Sequence, residues 1–181
     1  MKICTDSCLF AAIVANEKFK MKRCLDIGTG SGLLSLMLAQ KNSEVHIDAV
    51  EIDAAAALQA VDNINASPWG NRIKVMNDDI SSLTLQPVYD FIICNPPFYE
   101  NDLQSANDAI NNARHHSSLK LFQLAEIVSA YLLGNGTFAI LLPFHRIHFF
   151  INECKLNGLH LNKQILIRQT ENHTFSEAFC F

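Results

Sequence analysis

The 181-residue sequence has no surplus of basic residues: 14 Lys and Arg stand against 18 Asp and Glu, a formal net charge of −4. Without a global positive field, any contact with nucleic acid has to come from a local patch. The six cysteines (Cys4, Cys8, Cys24, Cys94, Cys154 and Cys180) form no C-x-x-C pair and no zinc-finger spacing. Several sit in apolar runs, where a reduced thiol packs as a small hydrophobe, so the sequence reads as a reducing, cytoplasmic protein. No run approaches the ~20 apolar residues of a membrane span. The stretch Cys8 to Ala15 is at the short limit for a signal sequence and is preceded by Asp6, which favours a helix capped by Thr5 or Asp6. Internal repeats, low-complexity tracts and linkers are also missing. With 49% hydrophobic residues, the expectation is one domain over residues 1–181 with a substantial core.

What is present is an alternation of strand-like and helix-like runs. Arg23–Ile27 precedes Leu33–Gln40, and Val45–Ile52 precedes Ala54–Ala66. Strand-like Arg72–Met76 and Tyr89–Cys94 follow, then a helical Leu119–Leu133 and a strand Thr137–Leu142. A helix is expected over His145–Leu156, ended by Asn157-Gly158, and then Leu159–Arg168 and Ala178–Phe181 as a hairpin at the sheet edge. This order gives an α/β domain with a mostly parallel sheet and helices on both faces. The long irregular stretch Tyr99 to His116 has the length of a functional loop.

The segment "LDIGTGSGLL" (25–34) puts Gly28, Gly30 and Gly32 between a strand and a helix. Glycines there let backbone N–H groups approach a ligand at the helix N-terminus. The spacing is D-x-G-x-G-x-G rather than that of a dinucleotide site. Asp26 beside the turn would repel a pyrophosphate and suits an ammonium group. Glu51 closes the next strand roughly 20 residues on, where an acid grips ribose hydroxyls. At the end of the third strand, Asp79 or Asp78 is placed to accept a hydrogen bond from an adenine amino group. A cofactor with adenosine, a cationic amine and no phosphate is S-adenosylmethionine.

The fourth strand runs into Asn95-Pro96-Pro97-Phe98 on the same edge. Two prolines forbid further ladder pairing and fix the backbone. The Asn95 amide oxygen and the Pro96 carbonyl are then pre-aimed to accept two hydrogen bonds from a planar amino nitrogen, while Phe98 or Tyr99 offers a ring for stacking a base. Arg114, near the end of the long loop, is a candidate phosphate contact. Lys18, Lys20, Lys22 and Arg23 precede the first strand and read as a solvated surface on the opposite edge. His115 and His116 lack a third ligand at metal-binding spacing, so no metal is expected. Trp69 reads as a packing anchor.

"DIGTGSG" (26–32) together with "NPPF" (95–98) resembles the amino-methyltransferases of the Rossmann-like class I fold. Adenine-N6, guanine-N2 and glutamine-N5 enzymes share that pairing. "MKICTDSCLFAA" (1–12), "VEID…A…NINASPWGNRI" (50–73) and "ARHHSSLKL" (113–121) narrow the resemblance to the bacterial tRNA1(Val) adenine-N6-methyltransferases, over nearly the whole chain. The resemblance implies a seven-stranded sheet and transfer of a methyl group from S-adenosylmethionine to N6 of adenine 37 in a tRNA anticodon loop. It also implies a cofactor site of Asp26, Gly28, Gly30, Gly32, Glu51 and Asp79, a catalytic Asn95 to Phe98, and Thr5 and Asp6 closing over the cofactor's methionine end. Cys4 and Ser7 stand where the family usually has glycine. Phe98 then Tyr99 reverses its common order, and guanine-N2 enzymes often carry N-P-P-F. Members of the family extend further at both ends. The rival acceptors are a ribosomal-RNA guanine N2 and a release-factor glutamine, and the non-enzymatic rival is a cofactor-binding partner subunit.

Overall fold

The computed structural model describes residues 5–83, 88–96, 119–168 and 170–181. Pro97, Phe98, Tyr99, Arg114 and the irregular loop lie outside them. Seven strands form one sheet: β1 Arg23–Ile27, β2 His46–Glu51, β3 Ile73–Asn77, β4 Tyr89–Cys94, β5 Leu132–Pro143, β6 Gln164–Ile167 and β7 Glu177–Cys180. Their order is β3-β2-β1-β4-β5-β7-β6. The first five pair in parallel, and β7 runs antiparallel to both β5 and β6.

The near-continuous apolar runs of the central strands follow from burial on both faces. On one face Phe10, Ala11 and Val14 of α1 (Thr5–Asn16), Leu34 and Leu38 of α2 (Leu33–Lys41), and Ala60 and Ile64 of α3 (Ala54–Asn65) pack against Cys24, Ala49, Phe91 and Leu141. On the other, Leu124 and Val128 of α4 (Leu121–Tyr131) and Ile147 and Phe150 of α5 (Ile147–Leu156) pack against Leu25, Val50, Ile92 and Ile140. Successive strand residues therefore serve alternate cores. Trp69 packs, partly buried, against the first core, as an anchor would.

Most bounds differ from those expected by a residue or two, and β6 is shorter, Gln164–Ile167 within the expected Leu159–Arg168; three further differences bear on the layout. Helix α1 already includes Thr5, so Thr5 and Asp6 form its first turn rather than a cap ahead of it. Strand β5 starts at Leu132, because β4 pairs there through Tyr89 before a register shift carries the ladder to Phe91 and Thr137. The last two strands do pair, but β7 does not lie at the edge. Ala178, Phe179 and Cys180 are buried, and β7 inserts between β5 and the half-exposed β6.

The positions of β1 and β4 decide where a ligand goes. β1 has β2 on one side and β4 on the other, so the connections leave in opposite directions and open a crevice at the carboxyl ends of these strands. The amino edge is closed by polar bonds. Asp90 accepts from the backbone N–H of Lys22 at 2.9 Å and of Arg23 at 3.1 Å, and the Tyr89 hydroxyl donates to Asp48 at 2.8 Å.

Candidate active site

At the crevice the chain leaves β1 and turns through Gly28, with φ of 71°, and Gly32, with φ of 82°. Side-chain-bearing residues rarely adopt this left-handed backbone. The two glycines serve different ends. Among the described residues, chain neighbours aside, no atom lies within 4 Å of where a Gly28 Cβ would stand, so that part of the turn has room for a ligand. A Cβ on Gly32 would come within 3.3 Å of Ile64 Cδ1, so this glycine lets the start of α2 approach α3. The turn is fastened to β2, with the Gly28 and Thr29 amides donating to the Val50 carbonyl at 2.9 and 3.0 Å.

Asp26 lies beneath this turn, fully buried. Its Oδ2 accepts from Thr29 Oγ1 at 2.6 Å and from Ser35 Oγ at 2.7 Å. Its Oδ1 is buried without a hydrogen-bond partner among the described residues. Desolvation pushes the carboxyl up to about 6, against the lowering effect of the two hydroxyl donors, and the nearby Glu51 adds to the rise. A buried carboxylate oxygen with acceptor capacity beside an open glycine turn fits a cationic donor. Glu51, 9% exposed, closes β2 and accepts from the Gly30 amide at 2.8 Å and the Asp53 amide at 3.0 Å. Each of its oxygens keeps capacity for a second donor. Asp79 is exposed beyond β3, where its Oδ1 accepts from the Ser81 amide at 2.8 Å.

Across the crevice, Asn95 follows the last residue of β4. Its Nδ2 donates to Ser7 Oγ at 2.7 Å. Its Oδ1 is buried and unpartnered among the described residues. Pro96 is buried next to it. The structure thus places a rigid acceptor, oriented by α1, on the same edge as the glycine turn. Ser7, 9% exposed, was not foreseen as part of the site; its departure from the family's usual glycine was the only signal. Glu177 was likewise missed. It begins β7, opposite Pro143 at the carboxyl end of β5. Its Oε2 is buried without a partner among the described residues, and burial and Asp6 raise its carboxyl above the usual range. Asp6 is thus near enough to Glu177 to act on it electrostatically, while Thr5 is exposed.

The described site gathers Asp26, Gly28, Gly30, Gly32, Glu51, Asn95 and Pro96 on one edge, with Asp79 at its rim. The catalytic candidates Pro97 and Phe98 and the substrate candidates Tyr99 and Arg114 lie outside the described residues. Lys18, Lys20, Lys22 and Arg23 are exposed at the amino end of β1, on the opposite edge. Among the described residues no helix is long and apolar enough to cross a membrane, and no three His, Cys, Asp or Glu side chains cluster to hold a metal ion. The buried Cys24 and Cys94 have thiols pushed far up by desolvation, which makes them packing groups rather than nucleophiles.

Residues 3–122 match the family model described as methyltransferase small domain. The chain is 39% identical to the tRNA1(Val) (adenine(37)-N6)-methyltransferase of Aliivibrio salmonicida, over 97% of this chain and 74% of that protein. It is also 39% identical to the protein of the same name from Bacteroides fragilis, over 92% and 70%. Among solved structures, a SAM-dependent O-methyltransferase from Thermotoga maritima superimposes with a TM-score of 0.65 at 18% identity, over 99% of this chain and 65% of that one. The human methyltransferase 10 domain containing protein does so with a TM-score of 0.62 at 20% identity, over 100% and 84%. These two likenesses establish the Rossmann-like class I methyltransferase fold.

Proposed function

Since the chain belongs to the methyltransferase small-domain family, among the tRNA1(Val) (adenine(37)-N6)-methyltransferases, we propose that it methylates N6 of adenine 37 in a tRNA anticodon loop and that Asn95 is its catalytic acceptor. The observation that carries this reading is the buried Asn95 Oδ1, which has no protein donor among the described residues, on the residue just after β4 at the same sheet edge as the glycine turn. The cofactor is S-adenosylmethionine, which supplies a methyl group made electrophilic by its sulfonium.

The residues present fit that cofactor. Asp26 Oδ1, orphaned and buried, would take its ammonium group, and Glu51 its ribose hydroxyls. The open turn at Gly28 would admit its methionine end, and Asp79 would accept from its adenine amine. Thr5 and Asp6, in the first turn of α1, would close the site from above β4.

An exocyclic amine is a weak nucleophile because its lone pair is delocalised into the ring. Asn95 Oδ1 and the Pro96 carbonyl would accept its two N–H bonds, hold the lone pair out of the ring plane and stabilise the positive charge that develops on nitrogen. Neither acceptor is basic enough to keep a proton, so the proton passes on to water. Phe98 and Tyr99 are the candidates for stacking the base, and Arg114 for a flanking phosphate. A base in an anticodon loop is unpaired and leaves its stack at small cost. A single sheet carries both halves of the described site. The place of action would be the cytoplasm, where the tRNA and reduced thiols are.

The test is nucleoside mass spectrometry of tRNA incubated with the protein and cofactor carrying a labelled methyl group. Labelled N6-methyladenosine is the expected product. Labelled N2-methylguanosine, or label on a glutamine of a protein, would replace the acceptor. Asn95→Ala should lower turnover about 10²–10³-fold, the range for losing one preorganised polar contact to developing charge, with cofactor binding retained. Unchanged turnover would remove Asn95 from the chemistry.

A further inference from the structure

The carboxyl edge of the sheet divides by charge. Glu177, on the β5–β7 side, has its Oε2 buried, whereas toward β1, β2 and β3 the edge carries Asp26, Glu51 and Asp79. This suits a cationic cofactor and repels phosphate, so an RNA whose base enters at Asn95 has to rest its backbone elsewhere. Strand order fixes where. β5, β7 and β6 continue the sheet beyond β4. The carboxyl end of β5, the amino end of β7 and the carboxyl end of β6 all reach the same edge as Asn95, because β7 runs antiparallel to both neighbours.

Two arginines and three exposed rings meet there. Phe144, Phe149 and Phe175 are 39%, 46% and 39% exposed, which is unusual for the largest apolar side chains. The Phe144 and Phe175 rings stand 5.7 Å apart. The Arg168 guanidinium lies 5.7 Å from the centre of Phe175, and that of Arg146 lies 5.6 Å from the centre of Phe149. The backbone beneath is pinned, with the Phe144 amide donating to the Ser176 carbonyl at 2.9 Å and the Ser176 amide to Ile167 at 3.0 Å. Arg168 donates to the Glu171 carbonyl at 3.1 Å and pairs with no carboxylate among the described residues, so its charge faces outward uncompensated.

We propose that the surface formed by Phe144, Arg146, Phe149, Arg168 and Phe175 binds single-stranded nucleotides flanking the methylated base, the rings stacking bases and the guanidiniums holding phosphates. Interleaved aromatic and cationic side chains beside a base pocket are how proteins hold unpaired strands. The placement also resolves how a chain of net charge −4 holds a polyanion: the phosphates meet a small positive field on the acceptor side and avoid the acidic cofactor half. The inference rests on the tRNA reading given above.

The experiment titrates labelled anticodon stem-loop RNA by fluorescence anisotropy at several salt concentrations, with Arg146→Gln/Arg168→Gln and Phe175→Ala beside the wild type. Melting curves and cofactor titrations of each variant report on the fold. The double arginine variant should bind at least tenfold more weakly, with a salt slope shallower by about 1.4, two single-strand phosphate contacts at ~0.7 each. Phe175→Ala should lose about tenfold with the slope unchanged, and both should bind cofactor as the wild type does. Wild-type RNA affinity and slope in folded variants, alongside N6-methyladenosine formation by the wild type, would overturn the surface and leave the function standing. Loss of self-association with RNA affinity intact would make the surface a contact between copies. A wild type that neither binds nor methylates the RNA would overturn both.

Discussion

The proposed reaction needs the Asn95 amide to present its oxygen to the substrate amine, and Ser7 is the residue that holds the other end. With Nδ2 bound to Ser7 Oγ at 2.7 Å, Oδ1 is the end left facing inward. Ser7 is thus a positioning residue, acting through Asn95. Ser7→Ala should lower kcat about tenfold with KM for the cofactor unchanged, since a freed amide spends part of its time reversed. Ser7→Thr should restore most of it, and a fall in stability with kcat intact would reduce Ser7 to packing. Asp26 gives a second prediction, in pH. Its folded value of about 6 lies above its ordinary 3.8, so the folded chain takes up this proton first. Between roughly pH 4 and pH 6 the folded state holds more protons than the unfolded one, and stability without cofactor falls as pH rises, by about 3 kcal/mol in all. Cofactor affinity should rise over the same window, because an ammonium group needs the ionised carboxylate. Denaturant titrations across pH should show Asp26→Asn removing this part of the slope while weakening cofactor binding; parallel profiles would contradict the assignment. The acids and glycines of this site were legible because a strand-end acid and a glycine turn carry their chemistry in their spacing. Ser7 was not, since its role depends on α1 crossing β4, a contact between residues 88 positions apart.

Among the elements, the parallel half of the sheet follows closely from the sequence, and its antiparallel end does not. β1 and β4 have the bounds that their apolar runs suggest, because strands buried on both faces are apolar apart from Asp26 and Asp90, whose carboxylates accept hydrogen bonds from within the fold. β5 runs on through Leu132–Thr137, which two glycines make unpromising as strand, because Tyr89 supplies a partner that only the tertiary fold provides. The insertion of β7 ahead of β6 is equally silent locally: a hairpin's pairing is visible in its two runs, but which strand turns inward is decided by Phe179 and its neighbours filling the core. The register of β1 against β4 carries the geometry of the site, since it sets Asn95 relative to the glycine turn. Asp90 pins it at the far end by accepting from Lys22 and Arg23 amides. Asp90→Ala leaves those amides without an acceptor and should cost about 2–3 kcal/mol of stability, whereas Asp90→Asn keeps one oxygen and should cost less. Below the melting transition the cofactor Kd should stay near that of the wild type, because the glycine turn is held separately by Val50. A tenfold weaker Kd at unchanged stability would show instead that the amino-edge bonds shape the crevice directly.

At the scale of the whole molecule, the sheet separates two sets of cations. Lys18, Lys20, Lys22 and Arg23 lie exposed at the amino edge, while Arg146 and Arg168 stand toward the carboxyl edge. One length of β1 divides them, five residues at ~3.3 Å each, or about 16 Å. The Debye length at physiological ionic strength is about 8 Å, so the amino-edge charges are two screening lengths from the crevice and add little to its field. The lysine cluster is the denser run of basic residues, yet its place just before β1 already marks it as a solvated surface, and the topology keeps it on the edge away from Asn95. Replacing Lys18, Lys20 and Lys22 together by Gln should therefore leave kcat/KM for tRNA within about twofold near 0.15 M salt, although it removes three positive charges from a chain already at net −4. The Arg146 and Arg168 variants, which remove only two, should lower it through KM. Steady-state methylation of tRNA by the two sets at matched salt compares charge number with charge position. A larger loss from the lysines would mean that the tRNA body reaches around to the amino edge, and that contacts far from the methylated base carry the affinity.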